Sequence, residues 1–203
     1  MEFKVLPTLT VSIGPQFSKD IFETQWISNV DDPEAVETFS KRYLFAHLDQ
    51  TTFSANIRAD WIMSPTLSFQ VYMQPFIVSG KYTDFKYLLK PKSYDFTKYG
   101  ENGSTLVKDR SENGDIISYK LDPDGEGPAD SKTIDNPNFN FISLRGNAVL
   151  RWEYLPGSTL YLVWTQTREN VESNGDFRFG RSMNNLFNVR PDNIFILKIS
   201  YWL

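Results

Sequence analysis

Residues Asn193-Ile194-Phe195-Ile196-Leu197-Lys198-Ile199-Ser200-Tyr201-Trp202-Leu203 decide how this chain is read. Taken by twos, Phe195, Leu197, Ile199, Tyr201 and Leu203 form a wholly apolar or aromatic set. The intervening set, Ile194, Ile196, Lys198, Ser200 and Trp202, carries the only charge. Side chains alternate between the faces of a strand, so this segment has one continuous apolar face and one mixed face. Exposed ends normally fray in water. An end this apolar is expected to lie against something other than water.

The closing strand of an outer-membrane β-barrel has these properties: its lipid face is apolar while its lumen face tolerates polar groups. The segment also resembles the C-terminal assembly signal of such barrels, with Leu203 where a terminal Phe is commoner. The composition agrees. Aromatic residues make up 15% of the 203 residues, and the net charge of −4 offers no basic surface for nucleic acid. Without cysteine there is no disulfide or thiolate metal site. No run of about 18 apolar residues occurs, which excludes a spanning helix and leaves spanning strands open. Met1-Glu2-Phe3-Lys4 runs straight into a strand with no secretory leader, so a membrane destination implies a piece of a longer precursor.

Working back, the alternation predicts about eight antiparallel strands in an all-β chain. They are Thr8–Gln16, Ile21–Asn29, Arg42–Asp49, Phe53–Met63, Leu67–Gln74, Ile142–Tyr154, Leu160–Thr165 and the terminal segment. Two hairpins are the clearest. One turns at Ser64-Pro65-Thr66 and the other at Leu155-Pro156-Gly157-Ser158. Each has a Trp four residues before its proline, Trp61 and Trp152. The third and fourth strands are expected to meet in a tight join at Gln50-Thr51, which breaks the short-long alternation of connections that such barrels follow. A long insert, Gly80–Asn138, is read as an outer loop containing a small hairpin, Thr105–Lys108 with Ile116–Lys120, around Asn113-Gly114. Arg181–Phe187 suits one or two helical turns. The chain is thus taken as one domain over 1–203, the C-terminal part of a larger barrel, with 80–138 as its insert.

Few residues suggest chemistry. Arg58, Asp60, Arg145, Arg151, Glu153 and Lys198 fall on the polar face and are candidates for a lumen. Trp61, Trp152, Trp164, Tyr154 and Tyr201 are candidates for an aromatic girdle, favoured over a sugar-stacking platform. Asp122 and Asp124 superficially suggest calcium but lack the spacing of a calcium loop, and a Pro/Gly turn is the better reading. His47, the only histidine, could pair with Asp49, yet no G-x-S-x-G nucleophile motif accompanies it. Neither catalysis nor a cofactor is expected.

The chain resembles the C-terminal barrel region, a domain of unknown function, of Gram-negative outer-membrane proteins whose N-terminal part is a carbohydrate-binding module family 9-like domain. The resemblance rests on five segments: Leu48–Thr52, Gln74–Tyr82, Asn136–Phe141 continuing into Leu144–Tyr154, Pro156–Trp164, and Pro191–Phe195 through Ser200–Leu203. It implies location in the cell outer membrane, contact with outer-membrane lipid, and insertion by the barrel assembly machinery through the last strand. The role read for the chain is binding or uptake of a polar ligand, a glycan-derived one being a candidate, although carbohydrate binding does not carry over from the resemblance. The sugar-binding domain itself is not among these residues, and the family supplies no catalytic residues to transfer. Two alternatives stand beside it: a soluble β-sandwich carbohydrate-binding module, and a glycan or lipid hydrolase working from the loops.

Overall fold

The structure, a computed structural model, describes residues 1–202, so the role expected of Leu203 lies outside the described residues. The fold is all-β and antiparallel. The main sheet contains β1 (Glu2–Leu6), β2 (Leu9–Asp31), β3 (Lys41–Ser64), β4 (Leu67–Leu88) and the short β5 (Phe96–Lys98). A second, three-stranded sheet holds β6 (Thr105–Arg110), β7 (Ile116–Asp122) and β8 (Lys132–Asp135). The chain then returns to the main sheet with β9 (Phe139–Leu155) and β10 (Ser158–Glu172), followed by helix α1 (Phe179–Asn188) and β11 (Asp192–Ser200). The main sheet runs β1-β2-β3-β4-β9-β10-β11, with β5 paired to the end of β4. β1 and β11 do not pair, and no closed barrel forms among the described residues.

Two expected breaks are absent. Thr8–Gln16 and Ile21–Asn29 lie on one strand, β2, and Gln50-Thr51 is no turn but the middle of β3. Gln50 pairs with Asp20 and Gly80, and Thr51 with Lys19 and Ser79. The stretch has no Gly or Pro to turn on, and β-branched Thr51 and Thr52 favour extension. What breaks there is the apolar pattern. Below Phe53 the odd-numbered side chains of β3 are apolar; above it the even-numbered Leu44, Ala46 and Leu48 are buried. One strand thus presents its apolar residues to opposite sides at its two ends. β4 likewise runs on to Leu88, so the insert begins later than expected.

With those strands continuous, short and long connections alternate throughout. Pro7-Thr8, Pro65-Thr66 and Pro156-Gly157 close one end; residues 32–40, 89–138 and 173–191 span the other. Each tight turn opens with proline, whose fixed φ suits that position, and Gly157 supplies the left-handed residue after it at φ 77°. Phe3 stands four residues before Pro7, as Trp61 and Trp152 do before their prolines.

The small sheet covers the upper part of β3 and β4. Its Tyr119, Leu121 and Ile134 pack on Leu44, Ala46, Phe85 and Tyr87, with the Phe85 and Tyr119 rings 4.5 Å apart. The predicted hairpin is there as β6 and β7, and β8 adds a third strand. A bulge carries the apolar pattern of β4 onto this face: Asp84 adopts φ 49°, beside the register shift between Phe45 and His47. Nearby, the buried carboxylate of Asp32 binds Arg42 and accepts the Glu34 N–H at 2.9 Å, while the Arg42 guanidinium lies 4.5 Å from the Tyr87 ring centre. This network ties the 32–40 connection to the upper sheet. On the opposite face α1 sets Leu186 onto Ile77 and Ile142, and Phe179 meets Phe53 edge-on at 5.1 Å.

Gly80 is where β4, β3 and β9 crowd. A Cβ there would stand 2.3 Å from the Phe139 ring and 3.0 Å from Leu48. Gly80→Val is expected to destabilise the fold by about 1–3 kcal/mol. Gly146→Ala, whose Cβ would meet Met73 and the Tyr72 carbonyl at 3.4 Å, should change it little. Denaturant midpoints of the two variants check the contrast.

Candidate functional site

Strand pairing puts side chains in rows across the sheet. One face of the lower half carries Leu9, Trp61, Phe69, Leu150, Leu162 and Leu197 in a single row. The next row on that face is Val11, Ala59, Val71, Ala148, Trp164 and Phe195. Phe195, Leu197 and Ile199 are 69%, 61% and 59% exposed, so nothing among the described residues covers this end of the face.

The opposite face is polar. Asp60 pairs with Gln70, Arg58 with Tyr72, and Tyr72 with Asn147. Side chains join across the strands: Gln70 Nε2 donates to Asp60 Oδ1 at 3.0 Å, and the Tyr72 hydroxyl donates to Asn56 Oδ1 at 2.7 Å. Arg58 and Asp60 approach to 3.9 Å, and a shallow hollow of about 360 Å³ lies against Arg58, Gln70, Tyr72 and Asn147. Nearer the tight turns, Arg151 donates to Glu153 at 3.3 Å and Lys198 stands 6.0 Å from the ring centre of Tyr161, its strand partner. Arg145 shares this face, opposite Gln74, with no side-chain partner among the described residues. The six predicted polar residues therefore occupy one face, five of them in two clusters and Arg145 by itself. Asn56, Gln70, Tyr72 and Tyr161, which alternation puts on the same faces of their strands but which carry no charge to mark them as candidates, complete the clusters.

The girdle candidates divide. Trp61, Trp152, Tyr154 and Tyr201 lie toward the tight turns, and the Trp152 and Tyr154 ring centres are 6.1 Å apart. Trp164 is four residues along β10 from Leu160, the partner of Trp152, and marks the other edge. Its indole N–H donates to Asn193 Oδ1 at 2.9 Å, and its ring is parallel to that of Phe195 at 6.3 Å.

At the end away from the tight turns, a cleft of about 410 Å³ opens between the β6–β7 hairpin, β4 and the segment after β10. Lys81, Arg110, Asp115, Asn138, Glu172 and Asp176 supply its polar groups. Gly175 lies so close to β4 that a Cβ would stand 2.5 Å from the Gly80 carbonyl oxygen. Asn136 Nδ2 donates to the carbonyls of Ile116 at 2.9 Å and Ser173 at 3.1 Å, fastening the two loops together. The cleft is held by long-range pairings, so no local motif announced it.

The other candidates disperse. His47 pairs with Glu23 at 3.2 Å, while Asp49 pairs with Lys19 at 3.0 Å, so the two form no relay. Asp122 Oδ1 accepts the N–H groups of Asp124 and Gly125, and Asp124 Oδ2 accepts that of Ala129. This is turn chemistry. No group of three or more His, Asp and Glu side chains arranged to hold a metal occurs among the described residues.

Residues 108–203 match the model of the family described as Domain of unknown function (DUF5916). No curated protein and no solved structure matches the chain. The matched span takes in most of the small sheet, β9, β10, α1 and β11, and therefore much of the cleft and half of the polar face.

Lys81 Nζ donates to Asp176 Oδ1 at 3.0 Å, and this bond holds the Asp176 carboxyl below its ordinary pKa. A depressed carboxylate stabilises the fold fully above its unfolded pKa, near 3.9, and loses that contribution as pH falls through the lower folded value. Both partners are about half exposed, which limits the effect to about 1 kcal/mol or less. Wild type is expected to exceed Asp176→Asn in stability at neutral pH, with the gap closing below pH ~4. Paired denaturation curves across that range read the difference.

Proposed function

We propose that the chain is a segment of an outer-membrane β-barrel that binds or passes a polar ligand along its polar face. The observation that carries this reading is the stagger of the three tight turns. Leu9, at the first turn, is level with Phe69, two residues above Leu67 at the second turn. Leu67 is level with Leu160, two residues above Ser158 at the third. The turns thus descend by one residue per strand. With a rise of about 3.3 Å per residue and a strand spacing of about 4.8 Å, a membrane plane drawn through them inclines the strands by about 35°. Transmembrane barrels tilt their strands by about 35–45°.

The apolar band slopes the same way. It reaches Phe17 and Phe53 on β2 and β3, runs up to Ile77 and Ile142 beneath α1 on β4 and β9, and ends at Trp164 and Phe195 on the last two strands. Along β3, Phe53 to Met63 covers about 33 Å of strand, or about 27 Å of thickness at that tilt, close to the apolar band of such barrels. The tight turns would face the periplasm and the longer connections the exterior. The cleft then lies at the outer mouth, where Lys81, Arg110, Asn138 and Glu172 offer donors and acceptors to a neutral polyhydroxylated ligand such as a glycan fragment. The free edges of β1 and β11 would be closed by further strands of a longer chain, and β11 would present the signal for the assembly machinery.

A soluble sandwich needs a second sheet over the apolar face. The small sheet lies on the other face, and only toward its upper end. The cysteine-free chain allows a clean test with single-Cys variants in the bilayer-inserted protein. Cysteines at Leu144, Leu150, Leu162 and Leu197 are expected to resist a charged thiol reagent, which reacts with the thiolate formed in water. Those at Asn147, Thr165 and Ser200 should react. Uniform labelling along the strands would remove the lipid face. Leu150→Arg should cost about 2–4 kcal/mol if that site lies at the bilayer midplane.

A further inference from the structure

The apolar face is not smooth. Between β4, β9 and β10 it contains a groove of about 110 Å³ whose floor is Gly146 and Ala148 and whose walls include Val71, Met73, Leu144 and Trp164. Small residues opposite each other's neighbours leave the slot: Gly146 pairs with Met73 and Gln166, Ala148 with Val71 and Trp164. At its upper end the apolar lining gives way to Gln166.

From there a chain of polar contacts runs along the rim. Asn193 Oδ1 accepts the Trp164 indole N–H at 2.9 Å and the Gln166 amide at 3.1 Å. Gln166 Oε1 accepts from Arg168 Nε at 3.2 Å. Arg168 is the first charged residue above the apolar band on β10. Its Nη1 donates to the carbonyls of Phe187 and Val189 at 2.8 and 3.3 Å, and its guanidinium lies 5.6 Å from the Phe187 ring centre. The α1 end therefore fixes the guanidinium in place, while Nη2 is left without a partner among the described residues. Glu172, the next charge on that side of β10, is held by Asn170 and Asn185.

We propose that this groove seats a short stretch of one acyl chain of an anionic, phosphate-bearing membrane lipid, with the phosphate accepting a hydrogen bond from Arg168 Nη2. The inference rests on the membrane reading above. Groove and cation carry it together. An apolar slot alone would hold any lipid tail, whereas an immobilised guanidinium at its mouth selects a negatively charged oxygen at headgroup height. The rim polar groups belong to the side with longer connections, so the lipid belongs to the outer leaflet of the proposed orientation.

The test uses the full chain in vesicles of phosphatidylcholine containing a minority of lipid with brominated acyl chains, either phosphatidylglycerol or phosphatidylcholine. The readout is the fluorescence of Trp164, taken as the difference between wild type and Trp164→Phe. Brominated phosphatidylglycerol is expected to quench this component at roughly fivefold lower mole fraction than brominated phosphatidylcholine, the preference one arginine near the surface confers. Arg168→Gln should abolish the preference, Arg168→Lys should keep part of it, and Gly146→Leu should weaken quenching by both lipids. Equal quenching of wild type by the two headgroups overturns the lipid site while leaving the membrane reading intact. Absence of quenching by either lipid overturns the membrane reading itself, and the site with it.

Discussion

The constraint on which the structure depends is the parity of the long strands. A strand side chain has only two directions, so the odd residues of β3 must all face one way unless a bulge intervenes. In the lower half that direction is filled with Phe53, Ile57, Trp61 and their partners, and the other with Asn56, Arg58 and Asp60. Neither set can be moved without the other. A sheet so divided must have a dry neighbour on one side and a wet one on the other, and the described residues provide no dry neighbour for the lower half.

The upper half obeys the same constraint with the sides exchanged. Leu44 and Ala46 turn toward the small sheet, which shields them, Leu48 is buried on the same side of β3, and the left-handed Asp84 lets β4 follow. On the original apolar side, α1 covers Ile77 and Ile142 through Leu186. This seat also buries Asn140, which donates to the Ser182 hydroxyl at 3.3 Å, so polar groups enter where the apolar band stops. The chain thus supplies its own cover at the end with long connections and, among the described residues, none at the end with tight turns. The cleft sits at the junction, framed by the loops that provide the cover and fastened by Asn136 and the Lys81–Asp176 pair.

Period-two alternation made the lower sheet legible residue by residue: the hairpins at Pro65 and Pro156 form, and the residues from Arg58 to Lys198 that alternation put on the polar face share one face of the sheet. The same signal misled at Gln50-Thr51. A change of covered face produces the same loss of alternation as a turn, and only the missing turn chemistry separated the two. Pro7 was overlooked because β1 is short, although Leu6-Pro7-Thr8-Leu9 is close to Ser64-Pro65-Thr66-Leu67. The cleft was illegible for a different reason. Its walls come from β4, the β6–β7 hairpin and the segment after β10, and only the folded chain brings Lys81 within reach of Asp176.

The central claim is that the strands cross a bilayer at the inclination their own stagger dictates. Polarised infrared dichroism of the amide bands, measured on the protein in aligned lipid multilayers, reads that inclination directly. A strand tilt of about 35° from the bilayer normal is the result expected from one residue of stagger per strand. Strands lying in the plane of the bilayer, or a protein that stays in the aqueous phase as a cooperatively folding monomer, would contradict it.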